Sequence, residues 1–259
     1  MNIVGECWTR PTSAVAYWQT GAGNKDGFDS HMPSVMDFPL EEAMRQALEG
    51  DGRGWGEGLT RLYDVLSQDY LYGDVNNLLL FLSNHDMARF SDIVLDKDPR
   101  RVKLGMVLMA TMRGIPQLLY GEEYNMHSAN TREPGNHSYL RMPLPLKDFT
   151  NEQLDMQAFV TRLFQWRKSQ PVIHTGRTMH FYSNNNTYGF VRYNKEGAVL
   201  VFANASNEER VIPVAQYREI LDKYAPEGRE VLTGDEYNTN DENIVVKPLS
   251  AMIIELMAK

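Results

Sequence analysis

Glu6 and, two residues on, Trp8 stand at the end of the short apolar run Asn2-Ile3-Val4-Gly5. Much later, the run Asn77 to Leu82 ends just as abruptly in Ser83-Asn84-His85-Asp86. These residue types suit cleavage of a glycosidic bond. A carboxylic acid must protonate the departing oxygen while a carboxylate acts from the other side, with acid and nucleophile about 5–5.5 Å apart where configuration is retained. Glu6 fits the acid. Asn84, His85 and Asp86 can exchange hydrogen bonds with sugar hydroxyls, and Asp86 can favour the positive charge of an oxocarbenium-like transition state. Trp8 and Tyr17 are candidate stacking platforms for sugar rings. Each residue also has a plainer reading: a surface carboxylate for Glu6, a satisfied polar network for His85, a helix cap for Asp86. What favours chemistry is convergence, because the carboxyl ends of strands in a parallel barrel meet on one face however far apart they are in sequence.

The elements that must position these residues are short apolar runs alternating with helical patterns, the mark of repeated β/α units around a parallel sheet. The runs are Asn2 to Val4, Ser34 to Phe38, Asn77 to Leu82 and Ile115 to Tyr120. Asp98 and Pro99 predict a helix start, with Val102, Met106 and Met109 or Ala110 on one buried face and Gly114 ending it. A capping box of Thr150 and Gln153 opens another helix, carrying Met156, Phe159, Val160 and Leu163 to about Lys168, with Pro171 stopping it. From about residue 176 the pattern becomes antiparallel β. Thr187–Tyr193 and Ala198–Ala203 flank the turn Asn194 to Gly197, and Ile244–Val246 and Met252–Ile254 add strands. The expected division is 1–175 and 176–259.

Composition narrows the partners. At 259 residues, 42% hydrophobic and 23% charged, the chain can bury a sizeable core. A net charge of −8 without a basic run argues against nucleic acid and suits a neutral ligand. No stretch reaches the ~18 apolar residues of a membrane span. Cys7 is the only cysteine, so neither an internal disulfide nor a thiolate metal cluster is possible, and the compartment stays open. The glycine-rich segment Gly50 to Gly58 lacks the Gly-Lys-Ser/Thr of a phosphate loop and reads as a mobile turn before a helix over Leu59 to Leu66. Glu122 and Glu123 fit a strand-end turn better than a metal or sugar site, and His127 and His137 lack close ligand spacing. No cofactor is expected.

Together these segments resemble the second half of an α-amylase-type enzyme of glycoside hydrolase family 13, near the neopullulanases and cyclomaltodextrinases. Ile3-Val4-Gly5-Glu6-Cys7-Trp8 is similar to the fifth-strand motif of that family, which implies that Glu6 is the general acid/base. Phe81-Leu82-Ser83-Asn84-His85-Asp86 resembles the seventh-strand motif, with His85 on sugar hydroxyls and Asp86 stabilising the transition state. Gly114 to Glu123 looks like the eighth strand and its exit. The resemblance implies strands 5–8 of a TIM (β/α)8 barrel followed by an antiparallel β-sandwich, acting with retention on α-glucan oligosaccharides from starch. The third-strand motif and the fourth-strand nucleophilic aspartate have no counterpart. Phe28-Asp29 resembles the latter only superficially, since it precedes the sixth strand. The expectation is therefore a fragment that is inactive alone. Four strands cannot close an eight-stranded barrel, so self-association or pairing with a missing N-terminal half is expected, and calcium remains possible in the complete parent enzyme. The competing reading is a non-catalytic carbohydrate-binding or structural module of the same family.

Overall fold

The computed structural model describes residues 3–129, 138–145 and 147–259. Strand β1 (Val4–Gly5) is followed by α1 (Thr12–Ala16) and lies parallel to β2 (Ser34–Val35). Next come α2 (Phe38–Glu49), α3 (Thr60–Leu66) and β3 (Leu79–Leu80), which meets the β2 end through a parallel bridge between Met36 and Leu79. After α4 (Phe90–Ile93) and α5 (Pro99–Thr111), β4 (Ile115–Pro116) runs parallel to β3. Four parallel strands thus stand side by side in chain order with helices between them, as successive β/α units require.

The ladders are shorter than the apolar runs that predict them. Pro116 has no N–H to donate, yet Ile115 and Gln117 still donate to the Leu78 and Leu80 carbonyls at 2.8 and 2.7 Å. Ile3, Val4, Ser34, Leu79 and Ile115 line one open cavity of about 230 Å³ across all four strands. Ile3, Val4 and Ile115 remain 45–48% exposed there, so this face of the sheet meets solvent where a parallel sheet is ordinarily covered.

The caps fall where the sequence places them. Asp98 accepts the Arg100 N–H at 2.9 Å, and Thr150 and Gln153 close a capping box at the start of α6 (Asn151–Lys168). Val102, Met106, Met109 and Ala110 are buried as expected, but so are Leu104, Gly105, Val107 and Leu108. Helix α5 is covered nearly all round because it packs on α6 on one side and on the antiparallel sheet described next on the other. Arg167 of α6 donates to the carbonyls of Ala110, Met112 and Gly114 at 2.6, 3.1 and 2.5 Å, satisfying the end of α5. Pro171 begins one further short helix, α7 (Pro171–Thr175), instead of ending helical structure.

Beyond α7, β5 (Arg177–His180), β6 (Thr187–Tyr193) and β7 (Gly197–Asn204) form an antiparallel meander. Then follow β8 (Arg210–Pro213), α8 (Arg218–Leu221), β9 (Tyr224–Glu230), β10 (Glu236–Asn238), β11 (Asn243–Val246) and β12 (Ser250–Ala258). Six strands make one sheet in the order β10-β9-β12-β7-β6-β5, and β8 pairs with β11 separately. The turn expected at Asn194 is closed by its own side chain, which accepts from the Glu196 and Gly197 N–H groups at 2.8 and 3.2 Å. Strand alternation divides β7 between two cores. Val199, Val201 and Ala203 join the core that holds α5, whereas Ala198, Leu200 and Phe202 pack with Ile212, Ile244 and Val246 of the β8–β11 ladder.

The glycine-rich segment is a turn, but a pinned one. Asn186, at the start of β6, accepts the Leu59 N–H at 3.0 Å and donates to the Asp51 carbonyl at 3.1 Å. Gly52 and Gly58, both at positive φ, let the backbone fold around this amide; a Cβ on either would sit 2.5 or 2.2 Å from it. A mobile turn is therefore the wrong picture: its two ends are clasped by a side chain 127 residues further on.

Candidate active site

The polar ends of β1 and β3 come to the same edge of the parallel strands. Glu6 is exposed one residue past β1 and lines an open cavity of about 490 Å³ with Trp8, Trp18 and Met32. Trp8 stacks on Phe38 at 5.0 Å and 20°, and Phe38 meets Phe81 of the third run edge-on at 5.1 Å. Trp8 and Phe38 then line a smaller cavity of about 180 Å³ with Met87, the residue after Asp86. Trp8 is the hinge of the arrangement, touching the Glu6 space on one side and the segment after His85-Asp86 on the other.

At the β3 end, Asn84 is buried and its Oδ1 accepts the Asp86 N–H at 2.9 Å, turning the chain outward. Both His85 and Asp86 are exposed, with the imidazole Nε2 3.2 Å from the carboxylate. Arg141 forms an ion pair with Asp86 and donates from Nε to the His85 carbonyl at 3.0 Å. Tyr17 takes a different position: its hydroxyl donates to Asp26 at 2.8 Å and one ring face is covered by Phe28 at 5.2 Å. Its neighbour Trp18 is the aromatic that reaches the Glu6 cavity. Asp29 accepts from the Thr20 hydroxyl and the His31 N–H, serving the local turn.

The β4 exit braces this edge. Glu122 is buried, accepts the Ser83 hydroxyl at 2.5 Å and the Leu119 N–H at 3.1 Å, and burial pushes its carboxyl up to about 7. It ties the end of the third run to the end of the fourth. His127 lies 2.9 Å from Asp92, whose other oxygen accepts the Ser128 N–H; His137 is outside the described residues. Among the described residues no group of three or more His, Cys, Asp or Glu is placed to hold a metal ion.

Sequence reasoning missed Arg141, Trp18 and Glu41. Arg141 lies in a loop without periodicity, 55 residues from its partner. Glu41 resembles any first-turn acid of a helix, yet it is 2% exposed at the floor of the small cavity beside Trp8, with Oε1 lacking a hydrogen bond. Burial raises its carboxyl to about 8, Arg45 only partly opposing this. Because the folded value lies above the unfolded one of 4.5, stability from this group is fully present below pH 4.5 and is lost as pH rises through 8. Glu41→Gln is expected to remove most of that fall, which at ~1.4 kcal/mol per pKa unit is on the order of 3–5 kcal/mol at most. Urea unfolding at pH 5 and pH 8.5 measures it; parallel profiles for the two proteins would contradict the burial argument.

Comparison with known proteins agrees with this architecture. The profile described as "Alpha amylase, catalytic domain" matches residues 1–212, and that described as "Cyclo-malto-dextrinase C-terminal domain" matches 178–255. The α-amylase of Geobacillus thermoleovorans, solved with acarbose, superposes on 100% of the chain and 54% of its own with a TM-score of 0.78 at 24% identity. AmyP in complex with maltose gives 0.80 at 18% identity, over 98% of this chain and 55% of that one. The fold thus puts the chain in the structural class of these solved proteins, a parallel β/α portion followed by a C-terminal sheet. Within that class, the chain belongs to the α-amylase family of glycoside hydrolases, family 13. Relatives include a cyclomaltodextrin glucanotransferase of Bacillus sp. (strain 1-1), 25% identical over 94% of the chain and 34% of the relative. An α-amylase of Niallia circulans is 25% identical over 82% and 40%. The chain therefore spans about a third of the length of these curated relatives.

Proposed function

We propose that the chain supplies the proton-donating and sugar-holding part of a retaining α-glucan hydrolase site. Residues 1–175 form strands 5–8 of a (β/α)8 barrel and 176–259 a C-terminal β-sandwich. The observation that carries this reading is the common edge, where Glu6 with Trp8 at the end of β1 and His85-Asp86 at the end of β3 are linked through the two cavities that Trp8 shares. In this reading Glu6 protonates the glycosidic oxygen as the bond breaks and then accepts a proton from the attacking water. Asp86, held by Arg141 and His85, faces the sugar and stabilises its oxocarbenium character; Trp8 covers a ring face. The nucleophilic carboxylate comes from polypeptide that covers the exposed sheet face at Ile3, Val4 and Ile115.

The test follows from that division. Alone, the chain is expected to release no reducing ends from maltoheptaose. Co-expressed with the first four strand–helix units of an α-amylase barrel it is expected to do so, and Asp86→Asn should then cut turnover by roughly 10²–10³-fold. Ordinary turnover by the isolated chain, or an Asp86→Asn variant as active as its parent, would overturn the reading.

A further inference from the structure

At the other end of α2 from Asp37, past its last turn, an open cavity of about 650 Å³ lies between the glycine-rich loop and the turns of the antiparallel sheet. Twelve residues of helix place it roughly 18 Å of rise away from the edge that carries the candidate active site. Its volume falls within the range of ligand sites, about 300–1,000 Å³. Trp55, at the tip of the loop, is 98% exposed, and Tyr182 opposite is 63% exposed with its ring braced edge-on by Tyr63 at 5.3 Å. The clasp of Asn186 by Gly52 and Gly58 holds the loop that presents Trp55.

The remaining lining selects the ligand class. Arg53 is paired with Asp51 at 2.9 Å and Arg210 with Glu208 at 3.1 Å, while Glu57 accepts the Gly54 N–H at 2.8 Å. An anion would therefore have to break an ion pair to find a cation. An apolar ligand would find walls of side-chain amides, hydroxyls and backbone. Two exposed aromatic faces among the amides of Asn184, Asn185 and Asn207 suit a neutral ligand with flat apolar faces and a rim of hydroxyls, which describes linked pyranose rings.

We propose that this cavity is a second, non-catalytic oligosaccharide site in which Trp55 and Tyr182 stack on pyranose rings; that the sugar is an α-glucan rests on the function proposed above. Calorimetric titration of the full chain with maltoheptaose tests it, using Trp55→Ala, Tyr182→Ala and, as the control at the other edge, Trp8→Ala. With the platform at the catalytic edge removed by Trp8→Ala, saturable binding should remain, and adding Trp55→Ala to that background should weaken it about tenfold or more, with Trp55→Phe restoring most of it. Since Trp55 is solvent-exposed, its variants should unfold at the parent temperature. Binding by the double variant within about twofold of Trp8→Ala, or binding abolished by Trp8→Ala alone, would overturn the proposal. Its failure is separable from failure of the catalytic reading, because hydrolysis by the co-expressed enzyme reads Glu6 and Asp86 and does not require Trp55.

Discussion

Glu6→Gln is expected to lower hydrolysis of maltooligosaccharides by the completed enzyme by roughly 10²–10⁴-fold, with KM changed far less. The amide keeps the size and hydrogen-bonding reach of the carboxyl but can neither give a proton to the departing oxygen nor take one from water. The loss should therefore depend on the leaving group. An α-maltosyl fluoride expels fluoride with little need of a proton, so its first step should be nearly unaffected in the variant. Azide needs no base, so adding it should speed breakdown of the glycosyl-enzyme and yield the glycosyl azide. A merely structural Glu6 would lower the rate for fluoride and for ordinary glycosides alike, without azide rescue. That outcome, or near-normal turnover, would refute the assignment. Glu6 is exposed and outside every helix, so its replacement should not disturb the fold.

Arg113→Met should be the most destabilising single change away from the site, costing about 3–5 kcal/mol. Arg113 is 1% exposed, directly before β4, and forms an ion pair with Asp37, itself fully buried. Its Nε and Nη2 also donate to Asp69, the latter at 2.5 Å, so two carboxylates hold the guanidinium charged. One side chain thus ties the start of α2 to the segment before β3 and to the entry of β4. Without it, Asp37 remains buried without a counter-charge while still capping α2 through the Leu40 N–H at 3.2 Å. For a domain of this size the midpoint of thermal unfolding should drop by about 10 °C. Burial already favours the neutral form of Asp37, so in the variant its pKa stands above the unfolded value and the deficit should shrink as pH falls towards 4. Adding Asp37→Asn should recover part of the loss. A fall of under ~1 kcal/mol, as for a solvent-screened pair, would show that the charge is not truly buried.

Local physics makes most of the elements legible. The Asp98-Pro99 and Thr150/Gln153 starts, the Asn194 turn and the span Thr187–Tyr193 are all governed by residues within a few positions of one another. Strands β9 and β10 are not legible in this way, because Pro226, Gly228 and several charged residues hide the alternation in β9, whose place in the sheet comes from pairing with β12 further along the chain, and β10 is then added to its other edge. The one-faced pattern expected for α5 fails for the same reason, since its second covered face is supplied by β12 and β7, far along the chain.

The sequence by itself determined that polar groups follow the strand ends, Glu6 just past β1 and Ser83 to Asp86 past β3, because an apolar run broken by polar residues is a local pattern. Tertiary structure alone decided which aromatic shares the Glu6 cavity. Tyr17 and Trp18 are adjacent in sequence and both meet Phe28, but Tyr17 is held by stacking on it and by its hydrogen bond to Asp26, while Trp18 lines the cavity with Glu6. It also decided that Arg141 holds Asp86, that Glu41 is buried, and that a glycine-rich turn is clasped by Asn186 to present Trp55. Each of these depends on side chains brought within a few ångströms across tens of residues. Burial, charge pairing and aromatic contact are properties of that proximity, which no local pattern encodes.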